Sequence, residues 1–443
     1  MDIDLLHDVV RAALSAGADA AEAVSAERSA LSVGVRLGEL EEVEREEARD
    51  LGLRVFVGQR QAVVSGSDIS PVARAKLVER AVAMARLAPE DSYAGLAPQD
   101  RLMQGARPDF DLYDSTERSP EVLETMAREA EAAARAVPGV MNSEGGSATW
   151  SNSAWSYVTS HGFEGRHRSS AFSLSASVIA GEGSGMERGG EGRSTRHAED
   201  LPSAASIGAE AGRRAVAKVG PRKLDSRTAP VIFENRVALS VLSPFIGAIS
   251  GPAIARGTSF LKDKLGQAVF APGIDITDNP HRQRGLGSGA FDDEGVATQP
   301  MSLIEDGRLT TWLLNASAAR QLGLNSTGHA SRGLAGPPGV GTHNLTLQPG
   351  TQDRAALIKS AGSGLLVTSM FGPSLNANNG DWSAGVGGFW FEDGEIAYPV
   401  NEITVAANLI ELYARLVPGG DLEIRGAANS PSILVDAVAI AGR

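Results

Sequence analysis

Residues 30–65 turn back on themselves repeatedly. Segments 30–37, 40–47, 52–57 and 61–65 are β-rich or alternate apolar with polar, and Gly38 and Gly58-Gln59 separate them. Alternation at period two gives each segment one apolar face, and spacers this short join antiparallel neighbours. The region therefore predicts an antiparallel meander, whose apolar face needs a second layer to cover it.

Helical patterns on either side predict that layer. Leu5, Val9, Ala12 and Ala16 recur at helical intervals. Pro71 opens an Ala-rich helix to about Leu87, with Val72, Leu77, Val78, Ala81, Val82 and Ala85 as its apolar stripe. Another helix starts at Ser119-Pro120, with Ser119 as N-cap and Glu121 in the first turn, and ends before Pro138-Gly139. Residues 141–179 return to strands with Gly162 and Gly165 as turn points, and a further helix spans roughly 203–219.

A chain of 443 residues exceeds one core, because single hydrophobic cores stop growing near roughly 250–300 residues. The basic, Pro-containing stretch 221–226 is the expected boundary between an N-terminal α+β domain (1–222) and a C-terminal β-rich domain (223–443). In the second half, Ser302-Leu-Ile-Glu-Asp-Gly-Arg-Leu and Phe389-Trp-Phe-Glu-Asp-Gly-Glu-Ile each set Glu-Asp-Gly between β-formers, which predicts two tight hairpins. Residues 372–388 are predicted to be a long Asn- and Gly-rich loop able to line a cleft.

Composition narrows the function classes. A net charge of −13 lacks the clustered Lys and Arg that displace counterions from phosphate, which argues against direct nucleic-acid contact. The chain contains 0 cysteines, which excludes disulfides and thiolate chemistry and fits a reducing compartment. The start Met1-Asp2-Ile3-Asp4 is acidic, and no run of about 18 apolar residues occurs, so the chain is expected in the cytoplasm and off the membrane. The acidic run 39–47, interrupted by Leu40 and Val43, is expected to be a solvated strand face.

No His-Glu-x-x-His helix is present. His161-Gly-Phe-Glu164-Gly-Arg-His167 offers two imidazoles and a carboxylate, but on a strand Glu164 faces away from both histidines. No metal is therefore expected to bind this chain alone. Ser259-Phe-Leu-Lys262 has the serine-lysine spacing of penicillin-recognising enzymes without their companion motifs. The glycines of Gly285-Leu-Gly287-Ser288-Gly289 resemble a phosphate loop, yet they lead into Asp292-Asp293-Glu294, which would repel phosphate. Those three acids form either an oxygen-rich cation site or, the reading preferred here, a solvated turn.

Three stretches carry a resemblance: Gly285-Leu-Gly-Ser-Gly-Ala-Phe-Asp-Asp-Glu-Gly-Val-Ala-Thr298; Trp312-Leu-Leu-Asn315 with residues 319–328; and Gly387-Gly-Phe-Trp-Phe-Glu-Asp-Gly-Glu-Ile-Ala-Tyr-Pro-Val-Asn-Glu-Ile-Thr404. With Gly257-Thr-Ser259 and the opening helix and meander, they resemble the PmbA (TldE) branch of the TldD/PmbA family over nearly the whole chain. The resemblance implies an α+β fold with a strand-rich, barrel-like second domain. It also implies a heteromeric metalloprotease in which a TldD-like partner carries zinc or iron on a His-Glu-x-x-x-His helix, and the old family label, modulator of DNA gyrase, implies an indirect genetic role. Here Ser243, Pro244 and Ala248 stand roughly where those ligands and the base would be. The resemblance thus implies a non-catalytic subunit, with no catalytic or metal residue of its own, that acts on peptide substrates.

Candidate residues for the peptide path or the partner interface are Gly287, Ser288, Asp292, Asp293 and Glu294, with Asn376, Asn378 and Asn379 from the long loop. Two alternatives stay open: a peptide- or protein-binding homodimer without proteolysis, and a serine-type hydrolase using Ser259 and Lys262.

Overall fold

The structure, a computed structural model, describes residues 3–442, so the opening Met1-Asp2 lies outside it. Helix α1 (Ile3–Ser15) precedes β1 (Ala20–Arg36), β2 (Glu39–Val57) and β3 (Arg60–Gly66). Helices α2 (Pro71–Leu87) and α3 (Pro120–Arg135) follow, then β4 (Val140–Thr159), β5 (Glu164–Ala180), β6 (Glu187–Thr195) and α4 (Ala204–Ala217). The six strands form one antiparallel sheet in the order β3-β2-β1-β4-β5-β6.

Local chemistry sets the helix starts. The hydroxyls of Ser70, Ser119 and Ser203 accept from the N–H groups of Ala73, Val122 and Ser206, and Pro occupies the first turn of α2 and α3, where its missing N–H costs nothing. All four helices cover one face of the sheet. Helices α1 and α2 bury Leu51, Leu53, Val55 and Val158, while α3 and α4 bury Leu31, Val33, Leu174 and Val178. Gly208 lets α4 close on α3, since a Cβ there would lie 2.0 Å from the Ala130 carbonyl oxygen.

The meander corrects the sequence reading at one place. Segments 40–47 and 52–57 are one strand, β2, because β1 pairs along nearly its whole length, from Phe56 to Glu39. Residues 39–47 are exposed, as expected of a solvated strand face. Of the two expected turn glycines, Gly162 turns with φ 99°, whereas Gly165 lies inside β5 and makes room for Phe163 and Phe291.

Residues 221–226 lead from α4 into the second half. It comprises β7 (Arg227–Phe233), α5 (Asn235–Ala248), α6 (Gly251–Ala255), β8 (Ile276–Asp278), β9 (Met301–Glu305), β10 (Arg308–Leu309), α7 (Ala316–Leu322), β11 (Ala330–Ser331), β12 (Gly339–Val340) and β13 (Leu345–Leu347). After these come α8 (Arg354–Ala361), β14 (Gly364–Leu375), β15 (Asp381–Glu392), β16 (Glu395–Asn408), α9 (Leu409–Tyr413), β17 (Val417–Pro418) and β18 (Ile433–Ala441). Strands β16, β15, β14, β7 and β18 pair in turn, and β18 pairs back onto β16, closing a barrel. Val231, Phe233, Val367, Val386, Val405 and Ile440 join Val241 and Phe245 of α5 in its core.

Both Glu-Asp-Gly hairpins form as expected. Asp306 and Gly307 have φ of 46° and 76°, Asp393 and Gly394 of 51° and 80°, the left-handed pair that matches strand twist. The expected long loop over 372–388 is instead the hairpin of β14 and β15, with only 376–380 as its tip. Its Asn and Gly residues read as loop, but the alternation of Trp382, Ala384 and Val386 on the barrel interior decided the outcome.

Candidate functional site

The face of the first sheet away from the helices is only partly covered. Val24, Tyr157 and Phe163 pack there against Leu102, Val296 and Ala316. Beyond that contact a cleft of about 520 Å³ opens between the middle of β1, β4 and β5 and residues 286–293, 330–332 and 341–343. Neighbouring hollows of about 620 and 390 Å³ share His167 with it, so they form one trough across the sheet.

The glycine-rich segment is the wall facing the sheet. Gly287, Ser288, Asp292 and Asp293 line the cleft. A Cβ on Gly287 would sit 2.1 Å from the His343 carbonyl oxygen, so only glycine allows the two loops to touch. Ser288 donates to the Arg282 carbonyl at 2.6 Å and accepts from the Asn344 amide at 2.8 Å. On the opposite side Arg196 holds the end of β6 to this wall, donating to the carbonyls of Ser170 at 3.0 Å and Leu286 at 2.5 Å.

The acidic turn is buried, which corrects the expectation of a solvated turn. Asp292 accepts from the backbone N–H groups of Glu294, Val296 and Ala330, each at 2.9 Å. Asp293 accepts from Arg332 N at 2.9 Å, and Glu294 from Ala316 N, at the first residue of α7, at 2.7 Å. The carboxylates thus latch three segments together. Burial, with Glu294 beside it, drives the Asp292 carboxyl well above its ordinary range. Burial also pushes Glu294 up to about 7.

Beneath the turn, a buried ion cluster joins the sheet to the second half. Glu22 of β1 is 1% exposed, pairs with Arg54 at 3.2 Å and with Arg332, and accepts from the Tyr157 hydroxyl at 2.6 Å. Burial alone would raise its pKa, but Arg54, Arg332 and Tyr157 together hold it below the ordinary carboxylate range.

The histidines singled out in the sequence do not converge. His161 is held by the Thr159 hydroxyl at 2.7 Å and the Ala97 carbonyl at 2.8 Å. Glu164 lies 3.3 Å from His7. His167 faces the trough, where burial and then Arg196 lower its pKa.

A different group does converge, one that the sequence reading did not single out: Asp278, His329 and His343. Asp278 ends β8, and the antiparallel β8–β13 pairing sets it opposite Leu345, next to His343. Asp278 Oδ2 lies 3.0 Å from His329 Nε2 and 3.0 Å from His343 Nδ1, and its carboxylate also accepts from His343 N at 2.9 and 3.1 Å. Thr327 Oγ1 is 2.9 Å from His329 Nδ1. Burial would raise the Asp278 pKa, but hydrogen bonds from His329 and His343 hold it far below the usual range. Local motif reading missed this set because His329 and His343 lie 51 and 65 residues from Asp278.

Ser259 is not an activated nucleophile. It is 3% exposed, donates to the Ala248 carbonyl at 2.6 Å and accepts from Leu261 N at 3.0 Å, while Lys262 is exposed. This removes the geometric basis of the serine-lysine reading. At the positions that the resemblance assigns to metal ligands, α5 offers a hydroxyl, a proline ring and a methyl group. Ser243 is exposed and donates back to the Leu239 carbonyl at 2.8 Å, Pro244 sits inside the helix, and Ala248 is buried. Such a donor set does not fit a divalent transition metal.

Asn376, Asn378 and Asn379 are at the β14–β15 tip and do not line the cleft. Asn376 accepts from Asn378 N at 3.1 Å, Asn379 donates to Asp381 at 2.7 Å, and Gly380, with φ 84°, lies against Phe260.

Comparison with known proteins places the whole chain. Residues 21–85 match PmbA/TldA metallopeptidase domain 1, 113–219 the central domain, and 226–442 the C-terminal domain. Metalloprotease PmbA of Escherichia coli is 38% identical over 444 residues, covering 99% of this chain and 96% of the relative, and a Haemophilus influenzae homolog is 38% identical over 98% and 94%. A crystal structure from Bacteroides thetaiotaomicron, described as a modulator of DNA gyrase, superposes with a TM-score of 0.92 at 27% identity, covering 100% of this chain and 99% of that one. TldE from Thermococcus kodakarensis shares the fold, with a TM-score of 0.88 at 21% identity over 99% and 100% of the two chains.

Proposed function

The chain belongs to the PmbA/TldA metallopeptidase family, and from that membership we propose that it is the peptide-holding, non-catalytic subunit of a heteromeric metallopeptidase. The cutting metal, zinc or iron, belongs to a TldD-like partner. The observation that carries this reading is the donor set on α5. Ser243, Pro244 and Ala248 offer neither imidazole, carboxylate nor thiolate to a metal.

The trough supports a role in holding substrate. An unfolded peptide presents backbone N–H and C=O groups at every residue, whatever its sequence, and glycine-rich walls permit close backbone approach. Gly287 and Gly289 supply such a wall, while Arg28 and His167 on the sheet side add groups for substrate side chains or termini. Among the described residues no helix is long and apolar enough to cross a membrane. The 0 cysteines are in keeping with a reducing compartment such as the cytoplasm.

Affinity capture from an extract of the native cell, followed by mass spectrometry, tests the partnership. A TldD-like chain in near one-to-one amount is the expected catch. Recovery of this chain alone, migrating as a homodimer that retains peptide, would replace the proposal with a binding protein that cuts nothing.

A further inference from the structure

We propose that Asp278, His329 and His343 form a binding site for a divalent transition-metal ion of the zinc class, separate from the α5 positions and built entirely by this chain. The three donor atoms lie within 4.8 Å of one another, two imidazole nitrogens and one carboxylate oxygen. A first-row ion sits about 2.0–2.2 Å from such donors, so neighbouring ligand atoms around it are about 3–3.5 Å apart. The two 3.0 Å separations from Asp278 Oδ2 are already close to that span. Two histidines and a carboxylate suit zinc, iron or cobalt better than magnesium or calcium, which prefer all-oxygen shells.

The surroundings match what a metal site requires. A ligating histidine characteristically gives its second ring N–H to an oxygen, which fixes the tautomer that leaves the other nitrogen free. His329 is placed to adopt that arrangement once an ion takes the place of the Nε2 proton, since its Nδ1 lies 2.9 Å from Thr327 Oγ1 and its Nε2 faces Asp278. The carboxylate is oriented in its turn by the His343 N–H. Entry is open from one side only: the Asp278 and His329 side chains are 0% and 2% exposed, whereas His343, at 14%, lines the cleft. Three protein ligands leave a further coordination position for water or a substrate atom. A bound ion would also tie β8 to the residues before β11 and β13, so occupancy couples to stability.

The test uses the tag-free, full-length chain without its partner, stripped by a chelator, dialysed, and titrated with Co²⁺ and then Zn²⁺. Elemental analysis should find close to one ion per chain, and bound Co²⁺ should show intense visible d–d absorption that Zn²⁺ displaces. Zn²⁺ should raise the melting temperature. His343→Gln, at the most exposed ligand, should weaken binding about 100-fold with an unchanged far-ultraviolet circular dichroism spectrum, and Zn²⁺ should no longer shift its melting point. Asp278→Asn should do the same. A wild-type chain that takes up no cobalt overturns the proposal without reference to any variant. Uptake by a folded His343→Gln chain at wild-type affinity overturns it too, because the ion would then sit on other residues.

Discussion

At Glu294 the balance of burial against partners has a measurable sign. Burial raises the folded-state pKa to about 7 from an ordinary 4.5, although the Ala316 N–H and Arg54 pull the other way. Between those values the folded protein holds a proton that the unfolded chain has released. The stability this contributes is therefore complete below the unfolded pKa and lost as pH rises through about 7. Glu294→Gln keeps an acceptor for Ala316 N and removes the titration. Its urea midpoint should exceed the wild-type value at about pH 8 and approach it at about pH 5. An equal difference at both pH values would contradict the assignment. Glu22 behaves oppositely, since Arg54 and Arg332 need its charge. Glu22→Gln leaves two guanidinium groups facing a neutral amide in a buried site, at a cost of about 3–5 kcal/mol in urea unfolding.

At the scale of elements, whatever local chemistry decides could be read from the sequence. Ser-Pro pairs started α2 and α3, and Asp-Gly pairs made the two hairpins, because caps and left-handed turns depend on a few adjacent residues. Gly394→Ala should accordingly cost about 1 kcal/mol or more, since φ is 80° and the new Cβ would meet Lys359 Cα at 3.0 Å. Thermal melts would check it. Partnerships between distant segments could not be read this way. Strand β2 runs through Asp50 because β1 lies beside it, β14 and β15 form because the barrel needs their apolar faces, and Asp278 meets its histidines only through the β8–β13 pairing. The acids of 292–294 read as surface because nothing local shows that backbone N–H groups await them. The tip 376–380 lies against Phe260 and away from the cleft, so shortening it, in a chain that still folds, should leave cleavage by a reconstituted complex nearly unchanged. A selective loss of cleavage would instead place the tip at the partner.

Across the whole molecule, ion pairs fasten the helix-covered sheet to the barrel half. Glu191 of β6 meets Arg236 of α5 and Arg425, and Glu234 beside α5 takes Arg214 of α4 at 2.8 Å and Arg354 of α8 at 2.8 Å. With Glu22 and Arg332 these contacts make the trough a fixed opening between the halves. A fixed trough without cutting machinery on α5 is what a substrate-holding subunit needs, and it defines the central test. Peptidase activity on an unfolded peptide should be measured for this chain, for a TldD-like partner, and for their mixture. The account predicts that this chain alone, with or without added Zn²⁺, cuts nothing, and that the mixture cuts far faster than the partner alone. Cleavage by the isolated chain, or a mixture no faster than the partner, would contradict it.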